Sequence, residues 1–471
     1  MSPSFSTRLT RELRATLSLA LPLILAQLTQ MLLMFSDTVM TGRLGSGQLA
    51  AISVSSNIIF FLAVGMWMTM ASVNPIVAHH LGAGEHAEIR RLFPQVLWLG
   101  AFTALPVLLA VGLALVFLLP RLPLGVAEQG YARSYIMVYS LSMLPLMGYF
   151  ALRYFLEGLG RTRANFAVTA LSLPFDVFLN YVLIFGKFGF PQWGVAGAAA
   201  STAFSNLLIF CGLLWHLRRD PELRRYTRGH GWVLPDWGQL RGILKIGLPM
   251  GFAVFAEVSA FTGLGLAMSW FGSTSVAAHQ IVMNVVSTTF MVPLGLSAAI
   301  SQRCGQFLGA RDPHGARFAA WTGIGLGAGF MALGALVLLT FRQQIVGIYT
   351  TDTQVLELAA TYLFYGVLFQ IFDGLQVTTM GALRGMKDTT VPMWICTLCY
   401  WGGGVVPALV MAFGLGWGPI GIWGALPPCL FLASISLVTR YFILSRRSAR
   451  ASIPAAELVT DPEEEEACLA R

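Results

Sequence analysis

Twelve runs of apolar residues recur along the chain, at 15–41, 50–78, 93–119, 131–152, 164–186, 194–217, 242–270, 277–302, 318–341, 356–381, 391–414 and 420–444. A hydrocarbon layer ~30 Å thick takes about 20 residues of helix to cross, and each run supplies that length. Barrel strands would be ~10-residue segments of alternating polarity, so the runs predict helices. The expected fold is an all-α integral membrane protein with twelve transmembrane helices. Composition excludes a soluble alternative: 11% of residues are charged and mean hydropathy is +0.69, against about 25% charged in soluble domains. The first run is far longer than the ~7–15 residues of a signal-peptide core and has no small-residue cleavage site, so it is kept as a span.

Charge orients the spans. Of the 30 Lys and Arg, all but Arg43, Arg121, Arg133, Lys187 and Arg342 fall in the N-terminus, the even-to-odd loops, the tail or the helix ends beside them. Positive residues mark the cytoplasmic side, so both termini are expected there. The +8 net charge then faces anionic lipid headgroups. With no basic stripe carrying interleaved aromatics, nucleic-acid binding is not expected.

The sequence also repeats itself at an offset of 227 residues. Leu21-Pro22 returns as Leu248-Pro249, Asn57 as Asn284, Leu81-Gly82-Ala83 as Leu308-Gly309-Ala310, Gly158 as Gly385, and Gly194 and Gly197 as Gly421 and Gly424. One gapless register spans six helices, which is hard to obtain by chance. Residues 1–217 therefore form an N-terminal lobe and 242–444 a C-terminal lobe. The charged stretch 218–241 is a cytoplasmic linker, and 445–471 is an acidic tail expected to be disordered. Six helices per repeat start both halves on the same membrane side, a plan that puts a transport path between them.

Four phrases carry a family likeness: Phe35-Ser36-Asp37-Thr38-Val39-Met40-Thr41-Gly42, Ala277-Ala278-His279-Gln280, Leu308-Gly309-Ala310 and Leu383-Arg384-Gly385-Met386-Lys387-Asp388-Thr389. In order and spacing they resemble the multidrug and toxic compound extrusion (MATE) transporters, closest to the bacterial NorM-type branch. The resemblance covers the chain apart from its tail. It implies two six-helix lobes in a V, in a bacterial inner membrane. It also implies export of cationic, amphipathic drugs and dyes in exchange for inward H⁺ or Na⁺, with no other cofactor. It further puts a cation-site residue at Asn180, whereas position 176 is more often Asn in the branch and position 369 a Tyr.

The acidic residues point the same way on physical grounds. An ionised carboxylate at mid-bilayer costs at least ~2.5–3.5 kcal/mol, so each one inside a span calls for a role. Asp176 lies midway between Arg163 and Lys187, Glu257 lies 12 residues past Lys245, and Asp373 lies 11 before Arg384, all near the midplane. Asp37, 23 residues past Arg14, lies toward the outer face. None is repeated at the offset, where Asp37 meets Leu264, Glu257 meets Gln30, Asp373 meets Leu146 and Asp176 meets Gly403. Each lobe is thus expected to hold its own coupling site. Asp37 and Asp176 form one with Asn180, four residues on and so on the same helix face, and Asn57. Glu257 and Asp373 form the other, where a Na⁺ is a candidate occupant. Gln280 and Asn284 are expected to face Glu257 or to bond neighbouring helices. Phe369, one turn before Asp373, offers a ring face to a cation. Any of these carboxylates can instead be a buried hydrogen-bonded group that fixes packing.

Other patterns carry less. His79, His80 and His86 read as a solvated loop, His279 as a hydrogen-bonded structural residue, and Cys396–Cys399 as small apolar packing. Gly158-Leu159-Gly160-Arg161 lacks the frame of a phosphate loop, and no nucleophile–base pair suggests an enzyme. With midplane acids and no interior Arg or Lys away from span ends, the cavity is expected to take lipophilic monocations. A flippase for lipid-linked precursors is the alternative, and it would want a cationic cavity. The protein is expected to act as a monomer.

Overall fold

A computed structural model describes residues 5–227 and 233–451. Among these residues it is helical, without strands. Eleven helices are long and apolar enough to span a membrane, and a bent pair makes the count up to twelve. In chain order the spans are α1 (Phe5–Gly42), α2 (Ser46–Gly82), α3 (His86–Arg121), the bent α4 (Val126–Ser140 and Met143–Gly158), α5 (Thr162–Phe185) and α6 (Gly194–Arg219). The second half follows as α7 (Trp237–Phe271), α8 (Ser273–Gly309), α9 (Pro313–Thr340), α10 (Thr353–Gly385), α11 (Thr390–Gly414) and α12 (Pro419–Arg450). The 227-residue offset reappears in these bounds, carrying α2 onto α8 and the full extent of α4 onto α10. The acidic run near the C-terminus lies outside the described residues, while 445–450 simply continue α12.

Several helix irregularities trace to single residues. The 48° bend of α4 sits just before Pro145, which has no N–H for the carbonyl one turn back and whose ring crowds it. The equivalent position in α10 is Phe372, and that helix is unbroken. In α11 the backbone widens to π-helix at Leu398–Val405 and Val410–Gly414. The first widening runs through Gly402–Gly404 and ends just before Pro407, so the proline meets a shifted register. Pro22 and Pro249 leave α1 and α7 helical throughout.

Packing forms two large buried clusters, one from residue 51 to 250 and one from 253 to 441. A small third cluster, where Ala20 and Leu23 of α1 meet Leu296 and Ala299 of α8, lies between the halves. Near the membrane face that carries the chain termini, α2 and α8 approach backbone to backbone. A Cβ on Gly82 would collide with the Gln306 carbonyl, and one on Gly309 with the His79 carbonyl. Gly82 and Gly309, like His79 and Gln306, are related by the offset, so this contact is symmetric. A bidentate ion pair reinforces it, with Arg303 Nη2 on Glu12 Oε2 at 2.6 Å and Nε on Oε1 at 2.9 Å.

Toward the opposite face the halves part. Asn57, Phe61 and Gly65 stand one turn apart on the side of α2 that meets α7, where Gly65 abuts Gly251 and Phe61 meets Phe255 at 5.0 Å. One turn further out, Asn57 is exposed. On α8 the same face reads Gln280, Asn284 and Thr288: Thr288 donates to Met31 Sδ of α1 at 3.7 Å, and the other two are exposed. A cleft between the halves thus opens away from the termini, floored by Phe61–Phe255 and Met31–Thr288.

Candidate functional site

Each half holds one acidic pocket. In the first, α1 brings Asp37 beside Asp176 and Asn180 of α5. Asn180 Nδ2 donates to Asp37 Oδ1 at 2.6 Å and to Asp176 Oδ2 at 3.0 Å. From α6, Ser205 Oγ donates to Asp176 Oδ1 at 2.7 Å, Ser201 Oγ to the same oxygen at 3.3 Å, and Thr202 Oγ1 to Asp37 Oδ2 at 3.5 Å. The one Asn180 nitrogen thus holds both carboxyls close together. Asp176 is 1% exposed, whereas Asp37 is part-exposed. Two carboxyls this close in a dry setting need a proton or a cation between them, and Asn180 bridges both.

The second pocket is looser. Glu257 of α7 and Asp373 of α10 lie within electrostatic range of each other. Tyr400 of α11 stands beside Glu257, and its hydroxyl accepts from Gln376 Nε2 at 2.7 Å. The adjacent Trp401 donates from Nε1 to the Ala256 carbonyl at 3.2 Å. Two consecutive residues of the π-helical segment thus face α7, Trp401 bonding it at 256. Arg384, which has no hydrogen-bond partner for its buried Nε, acts electrostatically on Glu257.

The expected companions of the acids divide. Asn180 sits where the spacing placed it. Asn57, expected beside Asp37, lies instead on the cleft wall, and its place is taken by Ser201, Thr202 and Ser205, whose pairing with α5 across a turn no local pattern reveals. Gln280 and Asn284 likewise line the cleft, because their face of α8 is the one that meets α1. Phe369 is a correction. It is 1% exposed and stacks on Trp423 at 6.2 Å, in a pile that includes Tyr362 and His279. Its ring packs against an indole.

The expectation of no interior basic residue also fails. Arg153, 4% exposed within α4, pairs Nε to Glu157 Oε1 at 2.8 Å. Its Nη1 donates to Gln30 of α1 at 3.4 Å, and Asn74 of α2 donates to both Glu157 and the Ala298 carbonyl of α8 at 3.4 Å. The i,i+4 spacing was visible, but ending the span at 152 put the pair in a loop. Of the histidines near the terminus face, His80 Nδ1 meets Glu85 at 2.6 Å, which holds that exposed carboxyl below its usual range, and His86 Nδ1 meets the Tyr226 hydroxyl at 2.9 Å. Among the described residues, no set of three or more His, Cys, Asp or Glu is arranged to hold a metal ion. Cys399 and Cys429 touch through a thiol-to-carbonyl bond at 3.2 Å, as packing residues do.

A family model for MatE matches residues 22–182 and again 249–410, once per repeat. The chain belongs to the MatE family. Similar sequences include a probable multidrug resistance protein NorM of Xanthomonas campestris pv. campestris, 36% identical over 466 residues that cover 96% of this chain and 99% of the relative. Another of that name, from Mesorhizobium japonicum, is 33% identical over 441 residues, 92% of this chain and 94% of the relative. Among solved structures, the eukaryotic MATE transporter AtDTX14 superposes with a TM-score of 0.84 at 17% identity, covering 94% of this chain and all of that one. The Vibrio cholerae MATE transporter VcmN in its bent form gives 0.82 at 16% identity, covering 94% and 99%. As a MatE member the protein is a multi-pass membrane transporter and not an enzyme, and the carboxylates of both pockets lie inside the matched segments.

Proposed function

We propose that this transporter exports lipophilic organic cations from the cytoplasm across a bacterial inner membrane, driven by inward H⁺ or Na⁺. The observation that carries the reading is the pairing of two acidic pockets, Asp37–Asp176–Asn180 and Glu257–Asp373, with an open cleft between the halves. Names borne by the relatives, which speak of multidrug resistance, support the drug substrate. The excess of basic residues at the terminus face supports placing both termini in the cytoplasm, so that the cleft opens outward. Asn57, Gln280 and Asn284 supply its polar wall, and a negative interior draws in cations while repelling anions. Arg153, the cation most deeply buried, is neutralised by Glu157 and offers no site for a pyrophosphate, which disfavours the flippase alternative. A Na⁺ between Glu257 and Asp373, or a proton on one of them, would relieve their mutual repulsion, so loading and unloading of that pair can drive the exchange. The protein acts as a monomer in this reading.

The test is efflux from proteoliposomes. A fluorescent lipophilic cation should leave against its gradient when H⁺ or Na⁺ is imposed inward, and an anionic dye of similar size should not. Equal transport of the two dyes would remove the acidic pockets from the account.

A further inference from the structure

The acidic pocket of the first half does not account for the whole of α5. Thr162, Asn165, Thr169, Ser172, Asp176 and Asn180 are all buried, none more than 3% exposed. At 100° per residue they fall within an arc of about 80°, one stripe roughly 27 Å long, nearly the thickness of the hydrocarbon layer. The outer end is the acid pair. The inner end, Thr162, opens the helix at the terminus face between the exposed Arg161 and Arg163. Between the two ends the polar atoms lack partners: Asn165 has neither its amide nitrogen nor its oxygen bonded, and the Thr169 hydroxyl is unpaired. Ser172 Oγ bonds back to the Thr169 carbonyl at 2.7 Å.

The duplicate helix serves as a control. At the same positions the second half has Thr389, Pro392, Cys396, Cys399, Gly403 and Pro407, so only the threonine at the entrance is shared and the rest of the stripe exists in one half only. Polar residues inside a span are costly unless satisfied, and buried groups left unpaired by protein are met by ordered water. Unpaired donors and acceptors spaced a turn apart therefore mark a path for water.

We infer that the α5 stripe is a hydrated proton lane that joins the Asp37–Asp176 pair to the terminus face, inside one half rather than through the cleft. One carboxyl O–H bond of the doubly protonated pair breaks, a water near Ser172 takes that proton, and the pair keeps one proton shared between its carboxyls. Water O–H bonds then form and break in turn past Thr169 and Asn165, until one proton is released near Thr162 for each one that left the acids. No electrons change hands. The pair's other access is through part-exposed Asp37, five residues from the outer end of α1. Neutral hydroxyls and an amide spaced a turn apart order a water file, and a proton passes along such a file by hopping from water to water, so the ion of this lane is the proton. This inference rests on reading Asp37–Asp176 as a coupling site.

The experiment uses the full chain in vesicles loaded with a pH-sensitive dye, with drug-coupled proton movement and equilibrium drug binding measured side by side. Asn165→Leu combined with Thr169→Val should slow turnover about tenfold, with drug KM and binding within twofold of wild type. Asn165→Gln combined with Thr169→Ser, which restores polar atoms, should recover at least half the rate. Wild-type turnover in the apolar pair, or equal slowing in the polar pair, overturns the lane. If the apolar pair does not fold, Thr169→Val alone should slow turnover about threefold, and a wild-type rate there overturns it equally. Asp176→Asn separates the two levels. Full gradient-driven efflux in that variant defeats the coupling site itself, whereas loss of efflux there beside a wild-type apolar pair defeats only the lane.

Discussion

The two halves share a scaffold and differ in chemistry. The first holds its two carboxyls on one amide nitrogen and caps them with three hydroxyls. The second gives Glu257 and Asp373 no shared hydrogen-bond partner, with a tyrosine beside one of them and an arginine acting on it. Duplication has preserved what brings helices together, such as Gly82 with Gly309, while the acids occupy positions that do not correspond. Helix packing tolerates few alternatives at a close backbone approach. A buried polar group needs only that some neighbour complete it, so the pockets were free to diverge.

The sharpest way to break this comparison is to neutralise one pocket at a time. Glu257→Gln and Asp373→Asn should remain folded and inserted, because the charge removed is costly to bury, but should lower gradient-driven efflux by about 100-fold, the upper end for a coupling free energy of 1–3 kcal/mol. Drug binding should persist. Reconstituted efflux under an imposed H⁺ or Na⁺ gradient gives the answer, and wild-type gradient dependence in both variants would leave coupling to the first pocket alone.

A second contrast concerns basic residues at related positions. Glu157 and Arg384 correspond at the offset, as do Arg153 and Met380, so one half has a buried ion pair where the other has an arginine without a hydrogen-bonded partner. Arg153→Met strands Glu157 and should cost about 3–5 kcal/mol. Arg384→Met breaks no hydrogen bond, losing only an electrostatic effect on Glu257, and should cost under about 1 kcal/mol. Thermal unfolding in detergent distinguishes them, and equal losses would mean that Arg384 is held by contacts beyond Glu257.

Smaller effects are expected in the cleft. Asn57→Leu and Asn284→Leu remove equivalent wall groups and should each raise the KM for a cationic dye about threefold, the size of one modest hydrogen bond. A large difference between them would show that substrate favours one half. Smallest of all, Phe369→Tyr should leave the dependence of efflux on the driving cation within about twofold, because the ring is stacked in an aromatic pile.

Much of the architecture was readable because membrane burial leaves a one-dimensional trace: span lengths, basic loops and the repeat each depend on neighbours in sequence. Asp37 and Asp176 stood out by the same logic, since a carboxylate in a span has few reasons to exist, and Asn180 by its place four residues from Asp176. What escaped depended on distant partners. Trp423, 54 residues beyond Phe369, decides what that ring touches. Ser201 and Ser205 reach Asp176 only because α6 folds back on α5. The approach of Tyr400 and Trp401 to α7 needs a π-helical register that glycines permit but do not announce. The bend of α4 was legible in hindsight from Pro145, whereas Pro22 and Pro249 produced no comparable break, so proline alone does not forecast one.

The backbone contact of Gly82 with Gln306 and of Gly309 with His79 also has a practical use. It closes one end of the molecule backbone to backbone, outside both pockets, and it is duplicated. One added methyl group at either glycine acts as a wedge that forbids this closure while leaving substrate and ion chemistry alone. Gly82→Ala or Gly309→Ala is therefore a graded pair of traps: one wedge to tilt the equilibrium, two to hold the molecule in the opposite shape long enough to be imaged.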